Sequence, residues 1–223
     1  MQRVIHFLTG LADHTCKEWF DAHKDDYLQV QQLCHDLATQ LIDGISRFDP
    51  SVRGLTVRDV TYRIYRDLRF SNDKTPYKTH IGIYVCPGGK KSLKAGYYFH
   101  IEPGATGGQP KSMLCSGLYC PTPALLKSVR EEIEFNGTAY TDAIEQADGF
   151  SLEHENPLKR VPQGFPADSP RAPYLMLRHH LISRPVDNEW ITQKDLASRT
   201  VREFEKTRPF VVLLNKAVDY ALD

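Results

Sequence analysis

Between residues 24 and 48, Tyr27, Val30, Leu33, Cys34, Leu37, Leu41 and Ile45 recur at three- and four-residue intervals. That period gathers them on one side of a long helix. The preceding text reads as helix too, with Thr15 as N-cap and Glu18 reaching back in a capping box, followed by Trp19 and Phe20. Pro50 and Gly54 in "RFDPSVRG" end the helical pattern. From there the period changes. Residues 57–66, 79–86, 95–102 and 112–119 are rich in Val, Ile, Tyr and Phe and read as strands. Their links, among them "CPGGKKSLKAG" and "EPGATGGQPK", carry turn residues and are short enough for an antiparallel meander of four or more strands.

Helical spacing returns in the last hundred residues. Thr122 with Pro123 is an N-cap followed by proline at the first helical position. Leu125, Leu126, Val129 and Ile133 continue as a core stripe, and a second short helix is predicted over 138–147. "ENPLKRVPQGFPADSPRAP" is too proline-rich for regular structure. "YLMLRHHLISRPV" reads as one more strand, 189–206 as a helix, and Pro209 opens a final helix to Leu222. The pattern predicts an α+β fold, one domain over 1–223, with an antiparallel sheet packed by amino- and carboxy-terminal helices.

Alternation assigns faces within the sheet. Val60, Tyr62 and Ile64, then Ile81, Ile83 and Val85, then Tyr97, Phe99 and Ile101 form the expected core sets. The opposite face then carries Arg63, Tyr65, His80, Tyr84, Tyr98, His100 and Glu102. An acid, bases and a cation would share one surface, and His80, His100 and Glu102 are the candidate acid–base residues. They also make a two-histidine, one-carboxylate set, but their spacing is not diagnostic, and no metal and no cofactor is assigned. A solvated polar face would look the same in the sequence.

Charge sharpens the picture. Lys+Arg and Asp+Glu are 28 each, so no global field draws the chain to nucleic acid or an anionic membrane. Yet "RIYRDLRFSNDKTPYKTH", Arg63 to His80, concentrates charge in one connection. Arg63, Arg66, Arg69, Lys74 and Lys78, with Tyr77, are the candidate ligand-binding residues. Guanidinium forks suit phosphate or carboxylate oxygens, and the turn chemistry of Ser71, Asn72, Asp73 and Pro76 can aim backbone N–H groups at the same anion. The competing readings are a structural or protein-interaction module, in which Arg–Asp pairs staple sheet to helices, and a nucleic-acid module using tyrosines and the lysines of "GGKKSLK". Balanced charge makes nucleic acid the least favoured partner. No Walker A run, GxGxxG helix opening, GxSxG or HExxH occurs. In "HH" at 179–180 the two rings point to opposite strand faces. No apolar run is long enough to cross a bilayer, and the amino terminus reads as the first helix rather than a signal peptide. Five cysteines without CxxC or zinc spacing suit reduced thiols in the cytoplasm.

"RIYRDLRFSNDKTPYKTHIGI" resembles the signature of the bacterial and fungal family catalogued as domain of unknown function 2461. "FLTGLADHTCKEWFDAHKDDY" resembles its usual opening, where Asn often stands at the position of His14 or Thr15, and "AGYYFHIEPG", "GLYCPTPALLKSVREEI", "LKRVPQGF" and "RPFVVLLNKAV" are similar to its later blocks. Cys115 and Cys120 are not family features. The resemblance implies that the charged segment belongs to the family's defining feature. It implies no particular reaction, cofactor or catalytic residue.

Overall fold

In the computed structural model, residues 1–69 and 74–222 are described. Three helices open the chain: α1 (Gln2–Asp13), α2 (Lys17–Ala22) and α3 (Lys24–Phe48). In α3 the buried residues are Val30, Cys34, Leu37, Ala38, Leu41, Ile42 and Ile45, the stripe its spacing predicts. The predicted cap at Thr15 is displaced by one residue. Cys16 is the N-cap of α2, with no side-chain bond, so Thr15 stands outside the helix and cannot pair with Glu18.

The strand predicted over 57–66 does not form. α4 (Val57–Val60) takes its place, closed by a capping box in which the Thr56 backbone N–H donates to Asp59 Oδ2 at 2.8 Å. Beyond it the isolated bridge Thr61↔Ile83 ties the chain to the sheet. Val60 and Ile64 are buried as predicted, but Tyr62 is 44% exposed, because without a strand no period-2 alternation places it inside. The turn residues Ser71, Asn72 and Asp73 lie outside the described residues.

Three of the remaining strands form as predicted: β1 (Ile81–Val85), β2 (Gly96–Ile101) and β3 (Met113–Leu118) make an antiparallel meander, whereas the strand expected over 174–186 is confined to His180–Pro185 because its first residues, Tyr174 and Leu175, complete a helical turn. After them come α5 (Pro123–Gln146), β4 (Ser151–Leu152), α6 (Ala172–Leu175), β5 (His180–Pro185), α7 (Asn188–Thr192), α8 (Leu196–Lys206) and α9 (Arg208–Leu222). The sheet order is β1-β2-β3-β5-β4, every described pairing antiparallel. Thr122 caps α5 as expected, its hydroxyl accepting from Leu125 N–H. The two helices expected there form and meet inside α5 at a kink at Asn136 (φ −124°, ψ 35°), beside which Arg171 packs against Gly137 so closely that a Cβ would sit 1.6 Å from its Nε. The helix expected over 189–206 is split, because Gln193 is extended (φ −69°, ψ 148°) between α7 and α8.

Helices α5, α8 and α9 and the carboxy-terminal half of α3 pack with one face of the sheet, Gly44 against Val201 and Phe48 against Tyr97. Several polar groups on that face are paired, although the buried His180 Nε2 has no partner among the described residues. Tyr97 donates to Asp49 Oδ2 at 2.9 Å, and Ser116 Oγ lies 2.7 Å from Thr207 Oγ1. His180, fully buried, bonds Tyr140 through Nδ1 at 2.9 Å. No helix among the described residues is long and apolar enough to cross a membrane.

Burial, with the nearby charges of Arg130 and His179, pulls the His180 pKa down from 6.5 to about 3. The unfolded chain therefore binds one more proton than the native state between those values, and His180 destabilises as pH falls through that window. Urea unfolding between pH 6.5 and 5 should show wild type losing up to about 1.4 kcal/mol per pH unit more than His180→Gln. Equal slopes would mean that the buried ring accepts its proton in the native state.

Candidate functional site

The sheet face turned away from α5 and α9 floors a cavity of about 630 Å³. Its floor is the alternate set of every long strand: Gly82 and Tyr84, Tyr98 and His100, Met113 and Cys115, Leu181 and Ser183. Tyr27, Gln31, Cys34 and His35 of α3 line it from another side. At the β1 edge stands an arm that leaves α4 and returns at His80. Tyr65↔Tyr77 bridges its limbs, Arg66 N–H donates to Pro76 O at 3.0 Å, and Lys78 N–H to Ile64 O at 2.9 Å. At the opposite edge Glu153, Glu155 and His179 line the cavity.

The arm divides the predicted ligand-binding residues into two groups. Arg63 and Lys78 line the cavity. Arg66, Arg69 and Lys74 bond within the arm: Arg66 donates to Thr75 Oγ1, Arg69 Nη2 to Asp67 Oδ2 at 2.6 Å, and Lys74 Nζ to the Leu68 carbonyl at 3.1 Å. The Arg69–Asp67 pair is exposed and contributes little to stability. Tyr77 is buried and stacks on Phe20 with centroids 4.1 Å apart. Tyr65 leans on the same two rings and leaves the sheet face predicted for it.

Arg63 and Lys78 make no ion pair among the described residues. Lys78 lies 5.6 Å from the centre of the Tyr62 ring. Burial pulls its pKa down, and the charge of Arg63 adds to that.

The acid–base candidates come together at one end of the floor. Ile81↔Ile101 is the last β1–β2 pair, so His80 and Glu102 stand one residue beyond it, opposite each other, with His100 two residues before Glu102 on the same face. His100 Nε2 lies 2.8 Å from Glu102 Oε2, and His100 Nδ1 lies 3.0 Å from the Tyr98 hydroxyl. The His80 and His100 rings are 4.6 Å apart. One nitrogen of each histidine and one Glu102 oxygen fall within 4.8 Å of one another, a donor set able to hold a metal ion. Burial, then the charge of His100, brings the His80 pKa down to about 4 against the opposing pull of Glu102, so its ring is a neutral acceptor at pH 7. Chemically, the array offers an imidazole, His100, held between a hydroxyl and a carboxylate beside the neutral ring of His80.

Cys115 is a floor residue and not an activated nucleophile, since burial pushes its thiol up to about 12. His179 and His180 separate as their parity requires: His179 stacks on Tyr119 at 5.0 Å beside the cavity, while His180 enters the core. Glu153 and Glu155 were not singled out by the sequence reading. Glu153 accepts from the Ser183 hydroxyl and its N–H donates to Leu181 O at 2.9 Å; the alternation Glu153/Glu155 was the available signal, obscured by the shortness of β4.

Gly82 faces His100 across the β1–β2 pair. A Cβ there would meet the Tyr98 hydroxyl at 2.6 Å and its ring at 2.7 Å, so glycine is what lets Tyr98 lie over β1 and reach His100. Gly82→Ala should cost about 1–3 kcal/mol by overpacking. Tyr98→Phe should then cost less in the Gly82→Ala background than in wild type, because the hydroxyl bond is already broken. A Gly82→Ala variant with unchanged urea unfolding would refute this packing.

No curated protein and no solved structure matches this chain. A family model described as "Conserved hypothetical protein (DUF2461)" matches residues 3–212, nearly the whole sequence and all of the cavity wall, and the chain belongs to that family.

Proposed function

We propose that the cavity binds a small organic anion, a phosphate or carboxylate, with its charge held by Arg63 and Lys78 and its body laid on Tyr84, Tyr98, Met113 and Cys115. The supporting observation is the pair of cations on one wall with no ion pair among the described residues, Lys78 half-buried and repelled by Arg63. A partly buried ammonium beside a like charge is unfavourable until an anion neutralises it. In this reading Arg66, Arg69, Lys74 and Tyr77 hold the arm in place, and His80, His100 and Glu102 supply acid–base groups at the cavity end.

The structural alternative draws on the arm's internal bonds, which stabilise its shape whatever the cavity holds. The nucleic-acid alternative needs free lysines in the β1–β2 loop. There Lys90 donates to the Arg58 and Thr61 carbonyls and Lys94 pairs with Asp219, which favours the small ligand.

A thermal-shift series at low salt with inorganic phosphate, sugar phosphates, nucleotides, carboxylates and short oligonucleotides tests this. One class of small anion should raise Tm, by an amount equivalent to about 2.7 kcal/mol at a hundred times its Kd. Arg63→Ala or Lys78→Ala should weaken that binding by about 1.5–3 kcal/mol, with Arg69→Ala near wild type. A flat series, or a shift indifferent to both cavity cations, rejects the proposal. A response confined to oligonucleotides and steeply salt-dependent would favour the nucleic-acid reading.

A further inference from the structure

We infer that His80, His100 and Glu102 form a site for one divalent first-row transition metal ion, of the zinc or ferrous class, opening into the cavity. The backbone sets the three residues together before any side chain turns. His100 and Glu102 are two apart on one strand face, and His80 is directly across from Glu102 at the next strand's end. Their donor atoms lie within 4.8 Å of one another, and His100 Nε2 and Glu102 Oε2 are 2.8 Å apart. Two donors each about 2.1 Å from one ion stand about 3.0 Å apart at a right angle and about 3.4 Å at a tetrahedral one. The His100–Glu102 spacing is therefore close to that of neighbouring ligands, and small ring rotations bring His80 into the same shell.

The donor types narrow the ion. Two imidazoles and one carboxylate suit zinc, iron, cobalt or nickel, whereas magnesium and calcium favour all-oxygen shells. The surroundings match a metal site as well. The second nitrogen of His100 is held by the Tyr98 hydroxyl at 3.0 Å, which fixes the ring's orientation as outer partners of ligating histidines do. Three protein ligands leave at least one position open, as in catalytic rather than structural sites. His80 and His100 both line the cavity, so that position faces it. Occupation of the open position by an oxygen of the bound anion rests on the proposed function; the metal site itself does not.

Cobalt(II) titrated into metal-free full-length protein, followed by visible absorption and equilibrium dialysis, gives the test. One ion per chain should bind saturably. His80→Ala and Glu102→Gln should each weaken it by roughly a hundredfold or more, and Tyr98→Phe by about ten- to a hundredfold. Both ligand positions are only partly buried, so these variants should keep the wild-type circular dichroism spectrum; His100 sits within β2 and is left intact. Absence of saturable uptake, or uptake of equal affinity in both ligand variants, overturns the site, the latter placing cobalt on surface histidines instead. Anion binding by metal-free protein, read in parallel by thermal shift, separates the two ideas: its persistence without cobalt uptake would leave the anion pocket standing and remove the metal.

Discussion

In an antiparallel pair, residues two apart share a face and directly opposed residues share it with them. β1 and β2 are aligned so that Gly82 opposes His100 and Tyr84 opposes Tyr98. That register is the constraint on which the rest of the structure depends. A slip of one residue would send Tyr98 and His100 into the helical core and bring Tyr97, Phe99 and Ile101 out to the cavity. The apolar set makes the slip costly, because all three of its side chains are fully buried. Hydrophobic burial on one face thus positions the acid–base groups on the other. Gly82 adds the one local condition, an absent side chain that leaves room for the Tyr98 ring.

The two faces handle polar groups differently. On the helix-packed face Tyr97, Ser116 and His180 are each hydrogen-bonded to a partner from outside the sheet, Asp49, Thr207 and Tyr140. Such pairing is what burial demands, since an unmet buried polar group costs more than a hydrogen bond returns. On the cavity face Tyr98, His100 and Glu102 are bonded mainly to one another, along a single strand. A chain of groups joined in that way can exchange a partner for a ligand without disturbing the packing between sheet and helices.

The strands at 79–86, 95–102 and 112–119 and the stripe of α3 were legible because a strong period filled a whole element. The three acid–base candidates were legible for the same reason: parity alone put them on one face. The segment 57–66 misled because its β-branched residues outweighed Thr56 and Asp59, whose three-residue spacing is itself a helix-start signal. The cations were a different case. Sequence shows that Arg66, Arg69 and Lys74 are near one another, but which acceptor each finds depends on the fold of the arm, and nearby Asp67 and Thr75 captured two of them. Glu153 and Glu155 reach the cavity through the β4–β5 pairing across some thirty residues, a long-range contact that no local pattern encodes.

Sheet order also explains how a chain with 28 cationic and 28 acidic side chains keeps unpaired charge in one cavity. Arg63 and Lys78 stand beside β1, whereas Glu153 and Glu155 stand beside β5, with β2 and β3 between. Three strand spacings amount to about 14 Å. That exceeds the Debye length of about 8 Å at physiological salt, so where the cavity is open to solvent the two walls scarcely neutralise each other. Each wall therefore retains its own local potential, opposite in sign at the two edges of the tyrosine floor. Under the proposed function, an anionic group is favoured at the β1 side, where His80 and His100 also stand, and disfavoured beside Glu153 and Glu155.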